Sequence, residues 1–285
     1  MLFLNDKEKK ILIFPDFTLR LNTILINTLY MAFSTLNESK LHNSLKILYQ
    51  EIYEGQTEVE QDGHIYDIVT KKGNIIEIQT KNLAKLLPKI LDTIEKGHNV
   101  KLVHPVPVIT RIELQDENGK IISNRKSPKK GSKYSIFREL TGIYPLITNP
   151  HFSLEVLEIE MTEERTRTTE PVQSKNGRRR FRRNWIKTGK RLDSIINTTR
   201  FSKPEDYLKL LPPLPQPFCA KDLKAALDKN PDIPKRTADA HLIVWVLSHT
   251  GLIEQVEMNA RSKFYMVVST LRPGSGTAGS TTVGP

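Results

Sequence analysis

From residue 37 onward, the apolar positions fall into blocks of two distinct periods. Residues 37–53, NESKLHNSLKILYQEIY, place Leu41, Leu45, Leu48 and Ile52 at helical spacing and predict an amphipathic helix. Thr35-Leu36-Asn37-Glu38 fits a capping box at its start, and the leucine stripe carried back three residues also lands on Glu38. HIYDIV and NIIEIQT, either side of a Lys-Lys-Gly-Asn turn, have the period of strands. In the second, Ile76, Ile78 and Thr80 share one face, while Ile75, Glu77, Gln79 and Lys81 share the other. Residues 82–96, NLAKLLPKILDTIEK, set Leu83, Leu86, Leu87, Ile90, Leu91 and Ile94 on one helical face, with Pro88 marking a kink or a late start. VKLVHPV at 100–106 reads as a buried strand ending at a proline, and ITRIELQ, DENGK and IIS as a hairpin. The order from residue 37 is helix, strand, strand, strand, helix, strand.

Further on, FSLEVLEIEM predicts a strand that buries Leu154, Val156 and Leu157 and turns its glutamates outward. Residues 211–217, LPPLPQP, read as a stiff linker. Beyond it come a short helix at 219–228 and a longer one at 234–251 closed by Gly251. Ala238, Leu242, Trp245, Val246 and His249 are the expected core face of the longer helix. Strands at 252–257 and 263–268 follow, joined by MNARS. Apolar stretches in residues 1–30 are broken by Asp16, Arg20, Asn22 and Asn27, so no bilayer span is expected there, and Met31 is a candidate start of translation. The tail PGSGTAGSTTVGP has linker composition and is expected to be disordered.

The candidate chemistry sits in the first strand pair. Asp67 and Glu77 are flanked by isoleucines and valines, and carboxylates at the edge of a core are costly unless paired. Two converging carboxylates suit a hard divalent cation, Mg²⁺ or Mn²⁺, which takes oxygen ligands and retains waters. Gln79 and Lys81 on the same face supply groups to orient water and offset negative charge. The plain alternative is a solvent-facing edge strand, and for Glu38 a simple helix cap. His42 and Tyr49 flank the leucine stripe and read as structural, with substrate contact as the alternative; His64 and His104 read as ordinary polar positions, with an approach to the site from neighbouring strands as theirs. Lone Cys219 excludes an internal disulfide and a cysteine-based zinc site, and no glycine-rich phosphate loop is present.

These residues, in this element order, resemble the PD-(D/E)XK nuclease superfamily over roughly residues 35–105. The resemblance implies an α/β fold: a restriction-endonuclease-like αβββαβ core with a mixed sheet. It sets Asp67 and Glu77 on the two metal-binding acids, Glu38 on the helix acid, and Gln79 on the position of the catalytic lysine. Gln79 is the departure, since glutamine orients water but carries no charge; Lys81 is the candidate substitute. The C-terminal helices and hairpin resemble a small winged-helix-like α+β domain, with Lys235 and Arg236 opening a recognition helix and Arg261 and Lys263 at the wing. The implied divisions are an N-terminal extension at 1–30, a nuclease-like domain at 31–165, a basic arm at 166–200, the winged-helix-like domain at 201–270 and the tail at 271–285.

Charge points to a polyanionic partner. The 285 residues include 43 Lys and Arg against 32 Asp and Glu, a net charge of +11. Residues 171–191 hold nine of these bases and no acid. Arg178, Arg179, Arg180, Arg182, Arg183, Lys187, Lys190 and Arg191 are candidate phosphate contacts, with Phe181 and Trp185 placed to stack on bases. Lys129 and Lys130 form a second patch. The alternative is internal counter-charge for the glutamates that precede the run. The expectation is thus a cytoplasmic, metal-dependent DNA endonuclease, with RNA kept as an alternative substrate. A nuclease fold turned inactive DNA-binding or assembly factor is the second reading. Cores of this type often form homodimers, an assembly the resemblance leaves open.

Overall fold

The structure, a computed structural model, describes residues 40–173, 177, 180–234, 236–259 and 262–268. Glu38, the capping-box residues, Arg178, Arg179, Lys235, Arg261 and both chain ends lie outside the described residues. Helix α1 (Lys40–Tyr53) buries Leu41, Leu45 and Tyr49 at i, i+4 and i+8. Gly55 follows at a close approach: a Cβ there would meet Ile68 Cγ2 at 2.5 Å. Strands β1 (Gln56–Gln61) and β2 (His64–Val69) form a hairpin whose Asp62-Gly63 turn has positive φ at both positions. Strand β3 (Ile75–Ile78) continues the antiparallel meander. A 3₁₀ turn (Leu83–Leu86) leads into α2 (Leu87–Glu95), with Pro88 in its first turn, where no helical partner is lost. Strand β4 (Val100–Gln115) then pairs parallel to β3.

β4 does not end at its prolines. It runs on through Pro105 and Pro107, with a register break between Pro107 and Ile109. The reason is a vacant flank. β3 pairs with β4 only as far as Val103, and β5 (Ile121–Lys126) joins only at Arg111. Between these limits a missing N–H costs no ladder bond on that side. The loop after β5 borders part of the gap, with Gly131 N–H donating to Pro107 O (3.0 Å).

Helix α3 (Ile136–Leu140) leads to two long strands, β6 (Phe152–Val172) and β7 (Arg183–Phe201). The result is an α/β fold with a seven-stranded mixed sheet, ordered β1-β2-β3-β4-β6-β7 with β5 on β4. The stretch expected as an arm at 166–200 is mostly strand within this sheet, and the 165/166 boundary falls inside β6. One apolar layer, with Leu41, Leu45, Ile68, Ile76, Ile78, Val103 and Leu157, lies under α1. The other gathers Tyr66, Ile75, Ile90 and Leu102 with the C-terminal helices in a single continuous core.

After the four-residue helix α4 (Glu205–Leu208) come strand β8 (Phe218–Cys219), helix α5 (Ala220–Lys229), helix α6 (Ala240–His249), and strands β9 (Ile253–Asn259) and β10 (Ser262–Val267). The last three strands form a small second sheet, ordered β8-β10-β9. Helix α6 starts at Ala240, capped by the Asp239 carboxylate, rather than at Pro234. Its core face is Ala240, Ile243, Val244, Val246 and Leu247, one step round from the expected stripe. Trp245 is instead partly exposed, stacked on His249 and edge-on to Tyr144. Among the described residues, no helix is long and apolar enough to cross a membrane.

Candidate active site where two strands part

β2 and β3 pair at Ile68–Ile76 and Val69–Ile75, then separate at the next step, which holds Asp67 and Glu77. Each acid takes over a bond the ladder would have made. Asp67 Oδ2 accepts from the Ile78 N–H at 2.8 Å, and Glu77 Oε1 accepts from the Asp67 N–H at 3.4 Å. The carboxylates thus face one another across the parting strands. Glu77 is not on a solvated face: all four residues of β3 are buried, because α1 covers one side and α2 the other.

Two side chains that the strand pattern did not reveal complete the arrangement. Lys89 on α2 donates to Glu77 Oε1 (2.6 Å) and to the Ile65 carbonyl (2.6 Å), and its ammonium lies over the Tyr66 ring. On α1, His42 Nε2 lies 2.8 Å from Ile78 O and 3.3 Å from Asp67 Oδ2. Lys46, buried on the same helix, pairs with Glu58. The signal for Lys89 was present: it follows Leu86 by three residues and precedes buried Thr93 by four, on the line of the apolar stripe.

The environments push the two acids apart. Burial and the nearby Asp67 charge raise the Glu77 carboxyl above its ordinary value, against the pull of Lys89. Burial also opposes the charge on Asp67, but the His42 hydrogen bond and charge, with the Ile78 N–H, carry its carboxyl below the usual value. One oxygen of each carboxylate, Asp67 Oδ1 and Glu77 Oε2, accepts no hydrogen bond from a described residue. Two hard oxygen donors on neighbouring strands suit an ion of the Mg²⁺ type that keeps most of its waters. No group of three or more His, Cys, Asp or Glu among the described residues is arranged to hold a metal.

Gln79 follows at the half-buried end of β3, with its backbone fixed on both sides. Its N–H donates to Val103 O (2.9 Å), and its carbonyl accepts from His104 Nδ1 (2.6 Å). Burial lowers the His104 pKa, and Nδ1, which faces a carbonyl oxygen, is a ring nitrogen that carries a proton. His64 is bound to Asp92 (2.6 Å), away from the acid pair.

Lys81 belongs to a different group. Burial holds Lys190 on β7 below its ordinary pKa, and the charges of Lys187, Lys81 and Lys129 add to the effect. Lysines from three parts of the chain thus lie near enough for their charges to act on Lys190, with Glu163 opposing them. Lys130 is exposed in the same loop as Lys129.

The remaining basic candidates divide. Arg191 meets Glu164 (3.1 Å), Asp193 (3.3 Å) and Glu113 (3.7 Å), and Lys187 pairs with Glu163, so both serve as internal counter-charge. The glutamates of β6 do not all face outward: Glu155 and Glu164 are buried, Glu155 with Tyr49 and Arg200, Glu164 with Lys40 and Arg191. Trp185 already has guanidinium groups over its ring, Arg165 at 3.7 Å and Arg183 at 4.8 Å. Arg180, Arg182 and Arg183 are exposed and have no carboxylate within ion-pair distance among the described residues.

An uncharacterized protein of Treponema pallidum (strain Nichols) is 33% identical over 193 residues, covering 68% of this chain and 74% of the relative. No solved structure matches. A family model described as a domain of unknown function, DUF8091, matches residues 39–202, from the start of α1 to the end of β7. With more than half its length matched, acid pair and long strands included, the chain belongs to the DUF8091 family.

Proposed function

We propose that this chain is a divalent-metal-dependent DNA endonuclease with a restriction-endonuclease-like core and a winged-helix-like C-terminal unit. The observation that carries this reading is the acid pair: Asp67 and Glu77 on adjacent strands, at the point where those strands part, each with one oxygen uncommitted. The topology supports it too, since an antiparallel β1-β2-β3 meander is followed by a helix and a parallel β4. Asp67 and Glu77 would hold Mg²⁺ or Mn²⁺, with Glu38 assisting. Such an ion, when bound, polarises a phosphoryl oxygen and acidifies a coordinated water. Gln79, its backbone locked by Val103 and His104, orients the attacking water. Lys89 offsets the charge on Glu77, and Lys81 and Lys190 hold the phosphate backbone nearby. The helices and hairpin of the C-terminal unit support the winged-helix-like description. Its α6, however, is packed on both α5 and α3, which weighs against a DNA-reading role for that helix.

A second reading has its own observation. Glutamine stands where the PD-(D/E)XK pattern has lysine, and His42 and Lys89 already engage both acids, as they would in a nuclease fold kept for DNA binding or assembly. A cleavage assay on linear, nicked, flapped and four-way-junction DNA with Mg²⁺ or Mn²⁺ separates the two. Cutting that requires metal and is abolished by both Asp67→Asn and Glu77→Gln supports the enzyme. Binding without cutting on every substrate, unchanged by either substitution, moves the assignment to the binding factor.

A further inference from the structure

Strands β6 and β7 outrun the sheet that carries them. The last rung between β4 and β6 is Gln115 to Thr166, while β6 and β7 remain paired at Arg167–Trp185 and Val172–Arg183. Past Thr166 they form a two-stranded ribbon with no third strand beside it among the described residues. Between these two rungs four residues of β6 face one of β7, so the ribbon is bulged, and its three β7 residues, Arg183–Trp185, give a projection of about 10 Å.

At the base Arg165 and Lys187 are held by Glu163, but the ribbon beyond them carries Arg167, Arg180, Arg182 and Arg183 against one acid, Glu170. Arg167, Arg180, Arg182 and Arg183 are exposed and lack a carboxylate within ion-pair distance among the described residues. Lys190 lies at the base, opposite Glu163, and the charges of Lys187, Lys81 and Lys129 all act on it. Like charges crowded in this way are unfavourable in the free protein and are relieved by a polyanion.

The shape narrows the class of polyanion. Two paired strands with their arginines fit the major groove of B-form DNA, about 12 Å wide, and not its minor groove, about 6 Å wide. The major groove of an RNA duplex is too deep and narrow for side chains to read. A single strand would be gripped by stacking its bases on open aromatic faces. Here Trp185, the ring in the body of the ribbon, is already covered by Arg165 and Arg183, which leaves Phe181 as the one exposed aromatic among the described residues of the ribbon.

We infer that the β6–β7 ribbon enters the major groove of duplex DNA, with the lysines at its base on the flanking phosphates. The inference rests on the nuclease reading for its place in a reaction, though not for the binding itself.

The test is fluorescence anisotropy of the full chain with a labelled 24-base-pair DNA duplex in EDTA, so that no cleavage is needed. The same DNA single-stranded and the same sequence as duplex RNA are the comparison probes. Expected are a preference for duplex DNA over both and a loss of about tenfold or more in R182Q/R183Q. K72Q/K229Q, which removes the same charge elsewhere on the surface, is expected to stay within about twofold. Guanine N7-methylation, which blocks the major-groove edge, should weaken binding roughly fivefold or more. Netropsin, which fills the minor groove, should not. Equal or tighter binding of the single strand or the RNA duplex overturns the inference. So does an R182Q/R183Q variant that binds like K72Q/K229Q, or competition by netropsin without an effect of methylation. Loss of cleavage in D67N with this binding intact would leave the ribbon in place, whereas failure here leaves the acid pair open to its own assay.

Discussion

Replacing Lys89 with Met removes the ammonium from Glu77 while keeping an apolar stem of similar length. Glu77 is nearly sealed, its side chain 6% exposed, and Lys89 is 21% exposed. Breaking a buried pair from one side costs about 3–5 kcal/mol. The partial wetting of Lys89 puts this case near the lower end. A second limit comes from Glu77 itself, which can take up a proton rather than stay charged. From an unfolded carboxyl value of about 4.3, protonation costs about 4 kcal/mol at pH 7.5 but only about 1 kcal/mol at pH 5. The expected loss is therefore about 3 kcal/mol at pH 7.5, shrinking to about 1–2 kcal/mol at pH 5. What persists at pH 5 is the lost bond to the Ile65 carbonyl and the contact with Tyr66. The sign follows from the direction of the shift. The folded Glu77 carboxyl lies above its unfolded value, so the native state holds the extra proton and stability falls as pH rises through that window. Urea unfolding of wild type, K89M and K89M/E77Q at both pH values measures this. The double variant should recover most of the loss at pH 7.5 and lose the added pH dependence. A K89M deficit that is the same at both pH values, or one that E77Q does not relieve, would refute the electrostatic account of this pair.

Three other substitutions probe separate parts of the structure. Tyr49→Phe removes a buried hydroxyl that donates to the buried Glu155 carboxylate, and should cost about 1.5–3 kcal/mol by thermal or urea unfolding. Gly131→Ala places a Cβ 2.5 Å from the Pro107 carbonyl and 3.0 Å from Val106 Cγ1, so the loop must shift off β4; a loss of about 1–3 kcal/mol is expected in the same measurement. Gln79→Lys restores the charge that the nuclease pattern calls for, and under the enzyme reading should raise the metal-dependent cleavage rate by roughly tenfold, read from single-turnover kinetics.

The first half of the fold was legible because its elements are short and their periods strong. The Leu41–Leu45 stripe, the alternation in HIYDIV and the apolar face at 83–94 each allow one structure only. Strand β4 was not legible in full, because a proline reads as a stop unless the missing neighbour is known. Nothing in VKLVHPVPVITRIELQ says that β3 ends beside Val103 and leaves that flank vacant. The long strands failed for a related reason. A run of nine bases looks like a solvated loop when read alone, yet β7 is held in place by Arg191 on Glu164 and Arg200 on Glu155, partners some 27 and 45 residues away. In α6 the stripe was read one position off, since AHLIVWVLSH is apolar almost all round and its period alone does not choose a face.

The same subtraction changes what the net charge means. Taken from composition, +11 is a property of the whole chain and gives no location. In the folded sheet, the acids of β6 meet Lys40, Arg111, Arg165, Lys187, Arg191 and Arg200, which removes those bases from any account of a partner. Of the cations left without carboxylates, one group lies on the distal ribbon and another around Lys190, while others, among them Lys72, Lys120, Lys126 and Lys229, are scattered over the rest of the surface. Asp67 and Glu77 show the converse: their partners, His42 and Lys89, come from helices on opposite faces of the sheet and were invisible to strand alternation. A hard cation entering there would have to share the acids with both, so its affinity and the ease of displacing Lys89 are one quantity. K89M, the variant that costs stability when metal-free, is for that reason the variant in which Mg²⁺ should restore the most.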